Sequence, residues 1–184
     1  MTCEVINLRR LNLLVGCPRD RERAAKAEVQ YFIGDLMGDD RINISITEIS
    51  GLIMCWTSLD PFEVVRRLRT YAEENPYQFR FAIKFTPIER SVPTDLAHIV
   101  AAAQEIGSKV LPDESFRVTV RRRHTQLDPM KIVKAVAEVF HSRVDLDNPD
   151  KTVLVEVLGE QTGVSILRPE EDILSIMTMR GEEY

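Results

Sequence analysis

Between Phe116 and Lys134 the chain gathers six cationic side chains, Arg117, Arg121, Arg122, Arg123, Lys131 and Lys134, against a single acid, Asp128. The 184-residue chain as a whole has a formal net charge of −5, so this segment opposes the sign of its own protein. A cationic patch on an acidic body favours one polyanion fitted to one face over general attraction to polyanions. Arginine suits that task, because its planar guanidinium makes paired hydrogen bonds to phosphate and stacks on unpaired bases. Lys131 and Lys134 would add point charges, and His124, at the end of the run, can stack on a base or simply close a strand. These seven residues are the candidate RNA contacts. An arginine run on a strand also has a plainer use, as a solvated guard against edge-to-edge aggregation.

Other chemistries are less well served. Cys3, Cys17 and Cys55 are widely spaced, with no CxxC and no histidine at zinc-ligand distance, which argues against a disulfide framework or structural zinc and fits a reducing, cytoplasmic setting. Cys17 precedes Pro18 and a helix start, yet a buried inert thiol is the expected state. Asp145, Asp147 and Glu156 fall at positions 1, 3 and 12 of a calcium loop, but Asp150 stands where that loop needs glycine and an apolar strand fills its second half. These aspartates read as turn residues that hydrogen-bond the backbone of their own turn. No GxGxxG and no glycine-rich phosphate loop occurs, so no cofactor is expected. No run reaches the length of a membrane span, and the N-terminus lacks the layout of a secretion signal.

The elements that must position the basic set follow from hydrophobic period. Phe116, Val118 and Val120 share one face of a strand while Arg117, Thr119, Arg121 and Arg123 share the other. Asp128-Pro129 starts a helix whose Ile132, Val133, Val136, Val139 and Phe140 face the core and whose Lys131 and Lys134 share a solvent side. Strands are expected over 152–158 and 164–167, with Asn148-Pro149-Asp150 as a turn and a last strand within 173–179. Upstream, Thr94 is the expected cap of a helix over 95–106, and the alternation of Phe79, Phe81, Ile83 and Phe85 predicts a strand.

The first part of the chain reads as β-α-β-β-α. A strand over 11–15 precedes a helix from about Arg21 to Met37, capped by Asp20, with Ala25, Val29, Phe32, Ile33 and Leu36 inward. Alternating Ile42, Ile44 and Ile46 and then LIMCWTS form a hairpin around Ser50-Gly51. Asp60, Pro61 and Glu63 start a second helix, where Arg66, Arg67 and Arg69 are expected to be a solvated face. The predicted division is 1–76, 77–168 and a C-terminal strand and tail over 169–184, with composition ordinary for a globular α/β protein at 44% hydrophobic and 29% charged.

The run FRVTVRRRHT, a helix, then RVDLDNPDKTVLVEV and TGVSIL resembles a THUMP domain, and the likeness extends upstream through Phe85-Thr86-Pro87-Ile88. LLVGCPRDRERAAKAE and DPFEVVRRLRTYAEENP resemble the leading domain of archaeal THUMP proteins related to the eukaryotic adaptor for tRNA acetylation. The resemblance implies a ferredoxin-like domain followed by THUMP, binding of tRNA, and presentation of that tRNA to a separate RNA acetyltransferase that forms N4-acetylcytidine. It implies no catalysis by this chain, since the sixteen residues after Arg168 are too few for a cofactor-binding domain. Two other functions fit the same residues: an RNA-binding subunit of a THUMP-type tRNA methyltransferase or thiouridine synthetase, and a protein-binding module that ignores RNA.

Overall fold

The computed structural model describes residues 8–181. In chain order the elements are β1 (Leu13–Gly16), α1 (Glu22–Val29), β2 (Asn43–Ile46), β3 (Leu52–Trp56), α2 (Pro61–Glu74), β4 (Lys84–Pro87), β5 (Arg90–Pro93) and α3 (Leu96–Ile106). There follow β6 (Ser115–Arg123), α4 (Pro129–Ala137), β7 (Arg143–Val144), β8 (Lys151–Leu158), β9 (Gln161–Leu167), β10 (Leu174–Ser175) and a single helical turn, α5 (Ile176–Met179). The chain is α/β throughout, with two five-stranded sheets in two compact units. One unit is Arg10–Ile88 with the segment from Glu170 onward; the other is Glu89–Pro169 with Arg9.

In the unit of Arg10–Ile88 the strand order is β10-β4-β1-β3-β2, every pair antiparallel. The sequence β1-α1-β2-β3-α2-β4 with that order is ferredoxin-like, extended at the edge by β10. The hairpin forms as its alternation predicts, with Ile44 opposite Cys55. Asp60 caps α2 by accepting from Phe62 N and Glu63 N, with Pro61 at the first position. Ala25, Val29, Phe32, Ile33, Val65, Leu68 and Phe85 close the core.

Four expectations are corrected here. Asp20 does not cap α1: it sits at φ 63°, and Arg21 occupies the cap with no side-chain bond. The long first helix becomes π-helical over Gln30–Leu36, and the wider turn carries Leu36 off the buried face, leaving it 47% exposed. The strand foreseen from Phe79 is irregular chain as far as Ile83, after a 3₁₀ turn over Pro76–Gln78, and the strand itself spans Lys84–Pro87. Phe79 still stacks on Phe32 at 4.2 Å between ring centroids, so its apolar period recorded burial and not a strand. The last strand shrinks to Leu174–Ser175 before α5.

The division by contact falls at Ile88/Glu89, later than the sequence reading placed it, because β4 pairs with β1 and is held in the first sheet. The residues after Pro169 return to that sheet through β10.

The unit of Glu89–Pro169 has the order β5-β9-β8-β6-β7. β6 and β8 run parallel and are joined through α4, as a parallel pair requires a crossover. Phe116, Val153, Val155, Val157, Val164 and Ile166 form one sheet face, on which α3 packs Ile99 and Ala103 and α4 packs Ile132 and Val136. Asp95, not Thr94, caps α3 by accepting from His98 N at 2.9 Å. Thr94 instead pairs its hydroxyl with Thr162 across the β5–β9 ladder, at 2.8 Å.

Candidate nucleic-acid interface

β6 owes its position to its own alternation and to an acid-bearing turn. Its start is fastened to the start of β8 by Asp150, whose carboxylate accepts from Ser115 N at 2.8 Å and Ser115 Oγ at 3.0 Å, while Asp150 N donates back to Ser115 Oγ. Those bonds, backbone first, hold the Asp150 carboxyl below its ordinary range. Asp145 accepts from Asn148 N and Asp147 N and is lowered for the same reason, so the aspartates of this loop are turn residues as the sequence suggested.

β7 pairs with β6 only at Ser115 and Phe116. From Arg117 to Arg123 the strand is therefore laddered on one side only, to β8, and its other edge carries no strand among the described residues.

Strand alternation then splits the basic set into two groups. Arg117, Arg121 and Arg123 lie on the face opposite α4. Arg122 points to the side on which α4 packs, and its guanidinium donates to Leu127 O at 3.3 Å, just before that helix begins. Lys131 and Lys134 are exposed on α4. The lysines thus belong with Arg122 and are separated by the sheet from the other arginines.

The two groups differ electrostatically. Arg121 stands directly across from Glu156 of β8. The Glu156 side chain is 3% exposed; its Oε2 accepts from Arg123 at 2.9 Å and its Oε1 lies 3.7 Å from Arg121. Both guanidiniums still reach solvent, at 44% and 36% side-chain exposure. Arg117 is more withdrawn: it donates to Leu146 O at 3.1 Å, and its Nε is buried without a partner, next to the equally unpartnered hydroxyl of Thr152. Arg122, Lys131 and Lys134 have no acidic partner among the described residues.

His124 follows at φ 54°, a left-handed conformation uncommon outside glycine. It lines a depression of about 340 Å³ with Asp95, Thr125 and Glu160 among its walls. Two acids there make the site unattractive to phosphate, so His124 stands apart from the cationic surface in its surroundings.

Remaining sequence candidates fall into structural roles. Cys17 is buried, and burial followed by the charge of Glu22 pushes its thiol up to about 11, which makes it a poor nucleophile. Cys55 is buried and raised further in the same direction, while Cys3 lies outside the described residues. His98 pairs with Asp95 on α3, and His141 lines a separate depression beside Phe140. Among the described residues no cluster of His, Cys, Asp or Glu could hold a metal ion, and no helix is long and apolar enough to cross a membrane. Sequence reasoning missed Glu156 as the arginines' anchor, although one acid in the otherwise apolar run Val153–Leu158 was its signal.

Residues 93–167 match the family model of the THUMP domain, so the unit of Glu89–Pro169 contains a THUMP domain. An uncharacterized protein of Methanocaldococcus jannaschii is 35% identical over 83 residues, covering 42% of this chain and 23% of that protein. Among solved structures, PH1313 of Pyrococcus horikoshii superposes with a TM-score of 0.64 at 17% identity, over 89% of this chain and 54% of that one. A 4-thiouridine synthetase in complex with RNA and ATP gives 0.54 at 14% identity, over 90% of this chain and 42% of the synthetase. The chain spans about half or less of the length of each, and at these identities the solved structures establish the fold alone.

Proposed function

We propose that this protein binds tRNA along the open edge of β6 and presents it to a separate RNA-modifying enzyme, the RNA cytidine acetyltransferase that forms N4-acetylcytidine. The observation that carries the reading is the edge itself. Arg121 and Arg123 stand on one face of that edge strand and Arg122 on the other, Lys131 and Lys134 lie on the helix packed against the sheet, and the THUMP domain that contains them is an RNA-binding module. Unladdered backbone amides along such an edge are further donors for phosphate or ribose oxygens.

Arg122, Lys131 and Lys134 are the cleanest probes, since none holds a buried acid. The triple change Arg122→Ala, Lys131→Ala, Lys134→Ala should weaken binding of total tRNA by tenfold or more at low salt. It should also flatten the log-log salt dependence by about 2.7, each of the three phosphate contacts contributing about 0.9. Unfolding by urea should be unaltered within about 0.5 kcal/mol. Unchanged affinity in a filter-binding titration would sink the assignment, and a wild-type chain that ignores tRNA would favour a protein-binding module. For the partner, deleting the gene and measuring N4-acetylcytidine in bulk tRNA by mass spectrometry is decisive, because loss of that nucleoside identifies the pathway.

A second reading, an RNA-binding subunit of a tRNA methyltransferase or thiouridine synthetase, draws on the fold shared with the synthetase bound to RNA. It predicts copurification with a cofactor-dependent transferase and unchanged N4-acetylcytidine.

A further inference from the structure

We infer that Glu156 is a positioning residue that makes the arginine face selective for folded RNA over flexible single strands. The inference rests on the RNA-binding reading and adds to it the residue that decides which RNA is accepted.

A buried carboxylate beneath two solvent-reaching arginines is a costly arrangement for a surface meant to attract phosphate. It cancels one of the two positive charges, and its desolvation is offset only by close pairing. Glu156 achieves that pairing by dividing its oxygens, one toward each arginine, with the contact to Arg123 at 2.9 Å the tighter of the two. It is itself fixed within β8, between Val155 and Val157, both fully buried. The guanidiniums are therefore drawn to a buried acid of β8 while their side chains remain partly exposed.

Two arginines free to swing would follow phosphates at any spacing. With Arg123 hydrogen-bonded to the carboxylate and Arg121 drawn toward it at 3.7 Å, the pair offers donors over a narrowed range of spacing, which a helical or otherwise ordered backbone can match and a flexible strand matches only by losing conformational freedom. The acid thus lowers affinity for every RNA by removing charge, and recovers it selectively where phosphates are already in place. The opposite group, Arg122 with Lys131 and Lys134, has no such acid and supplies the general attraction.

Glu156→Gln in the full chain tests this, because glutamine keeps the volume and one acceptor while removing the charge that balances the pair. Filter-binding titrations against total tRNA and against poly(U), across a salt series, give the readouts. Poly(U) binding should strengthen about threefold at low salt and its log-log slope should steepen by about 0.7, as for one added phosphate contact on a single strand. Binding of tRNA should change less, so the preference for tRNA over poly(U) should fall. An unchanged preference, or equal weakening of both ligands with a lowered melting temperature, overturns the inference and leaves Glu156 a structural buttress. If Glu156→Gln does not fold, Arg123→Lys breaks the same fork at constant charge and should lower the preference without changing either slope. A wild-type chain that binds neither RNA refutes the RNA-binding reading itself. A wild-type chain that prefers tRNA, with variants that prefer it equally, refutes only the part given to Glu156.

Discussion

The two arginine-rich runs of this chain, RRLR on α2 and RRR on β6, look alike as sequence and are used in different ways. On α2 the fold takes up Arg69, while Arg66 and Arg67 stay exposed as the sequence suggested. Arg66 pairs with Glu63 one turn earlier, with both side chains about half exposed, and Arg69 donates to the carbonyls of Glu170, Glu171 and Ile173, fastening the returning segment that carries β10. Arg67 rims an apolar depression with Phe32, Leu36 and Tyr71. On β6 the arginines are held from beneath, by Glu156 or by one carbonyl, and still face solvent. A cationic run marks a ligand surface only when its donors are left over after the fold has used what it needs.

The largest effect expected from breaking this contrast comes from removing both arginines over Glu156. Arg121→Ala with Arg123→Ala leaves a buried carboxylate without its counter-charges, which should cost about 3 kcal/mol of stability. The urea midpoint reads it. This pair is consequently a poor probe of RNA affinity alone, despite being the obvious choice from sequence. Stability within 0.5 kcal/mol of wild type would mean that Glu156 is not held by these arginines in solution.

How much of this was visible beforehand depends on the kind of signal. The basic strand, its face alternation and the Asp60-Pro61 and Asp128-Pro129 helix starts all follow from local period and capping chemistry, and all appear in the structure. The residues that divide the basic set do not, because their reasons are non-local. Register alone places Glu156 across from Arg121, and it depends on the crossover through α4. The open edge depends on β7 ending after two residues. Phe79 and Phe81 alternate as a strand would, but Glu28 of α1 accepts from Arg80 N, Phe81 N and Ala82 N, taking the amides a sheet neighbour would need. Likewise the solvated face expected at Arg69 fails because its partners lie a hundred residues away.

The mirror experiment on α2 should have a smaller effect and a different signature. Arg69→Ala removes three charge-assisted hydrogen bonds to carbonyls at 2.8–3.1 Å, an expected loss of about 2 kcal/mol given that the site is partly solvated. Binding of tRNA and its salt slope should be unaffected. Hydrogen exchange should show the loss first at β10, whose pairing with β4 is short. A flattened salt slope in this variant would show that α2 contributes to the ligand surface after all, and the contrast between the two runs would fail.

Acid separates the two regions by a route that mutation cannot. The acceptors that hold Arg69 are carbonyls, which do not titrate, whereas β6 is fastened to β8 through the Asp150 carboxylate. Asp150 has its folded pKa lowered by Ser115 N–H and then by the Ser115 hydroxyl. A lowered folded value means that its stabilisation is complete above the unfolded value of about 3.9 and is lost as pH falls through the folded one. Wild type should therefore exceed Asp150→Asn in stability by a constant amount above about pH 5, and that gap should close progressively below about pH 4. The gap between wild type and Arg69→Ala should hardly change over the same range. Urea unfolding of the three proteins from pH 7 to pH 2.5 measures both gaps. An Asp150 gap that persists undiminished into acid would mean that its carboxylate is not what fastens the strand beneath the arginines.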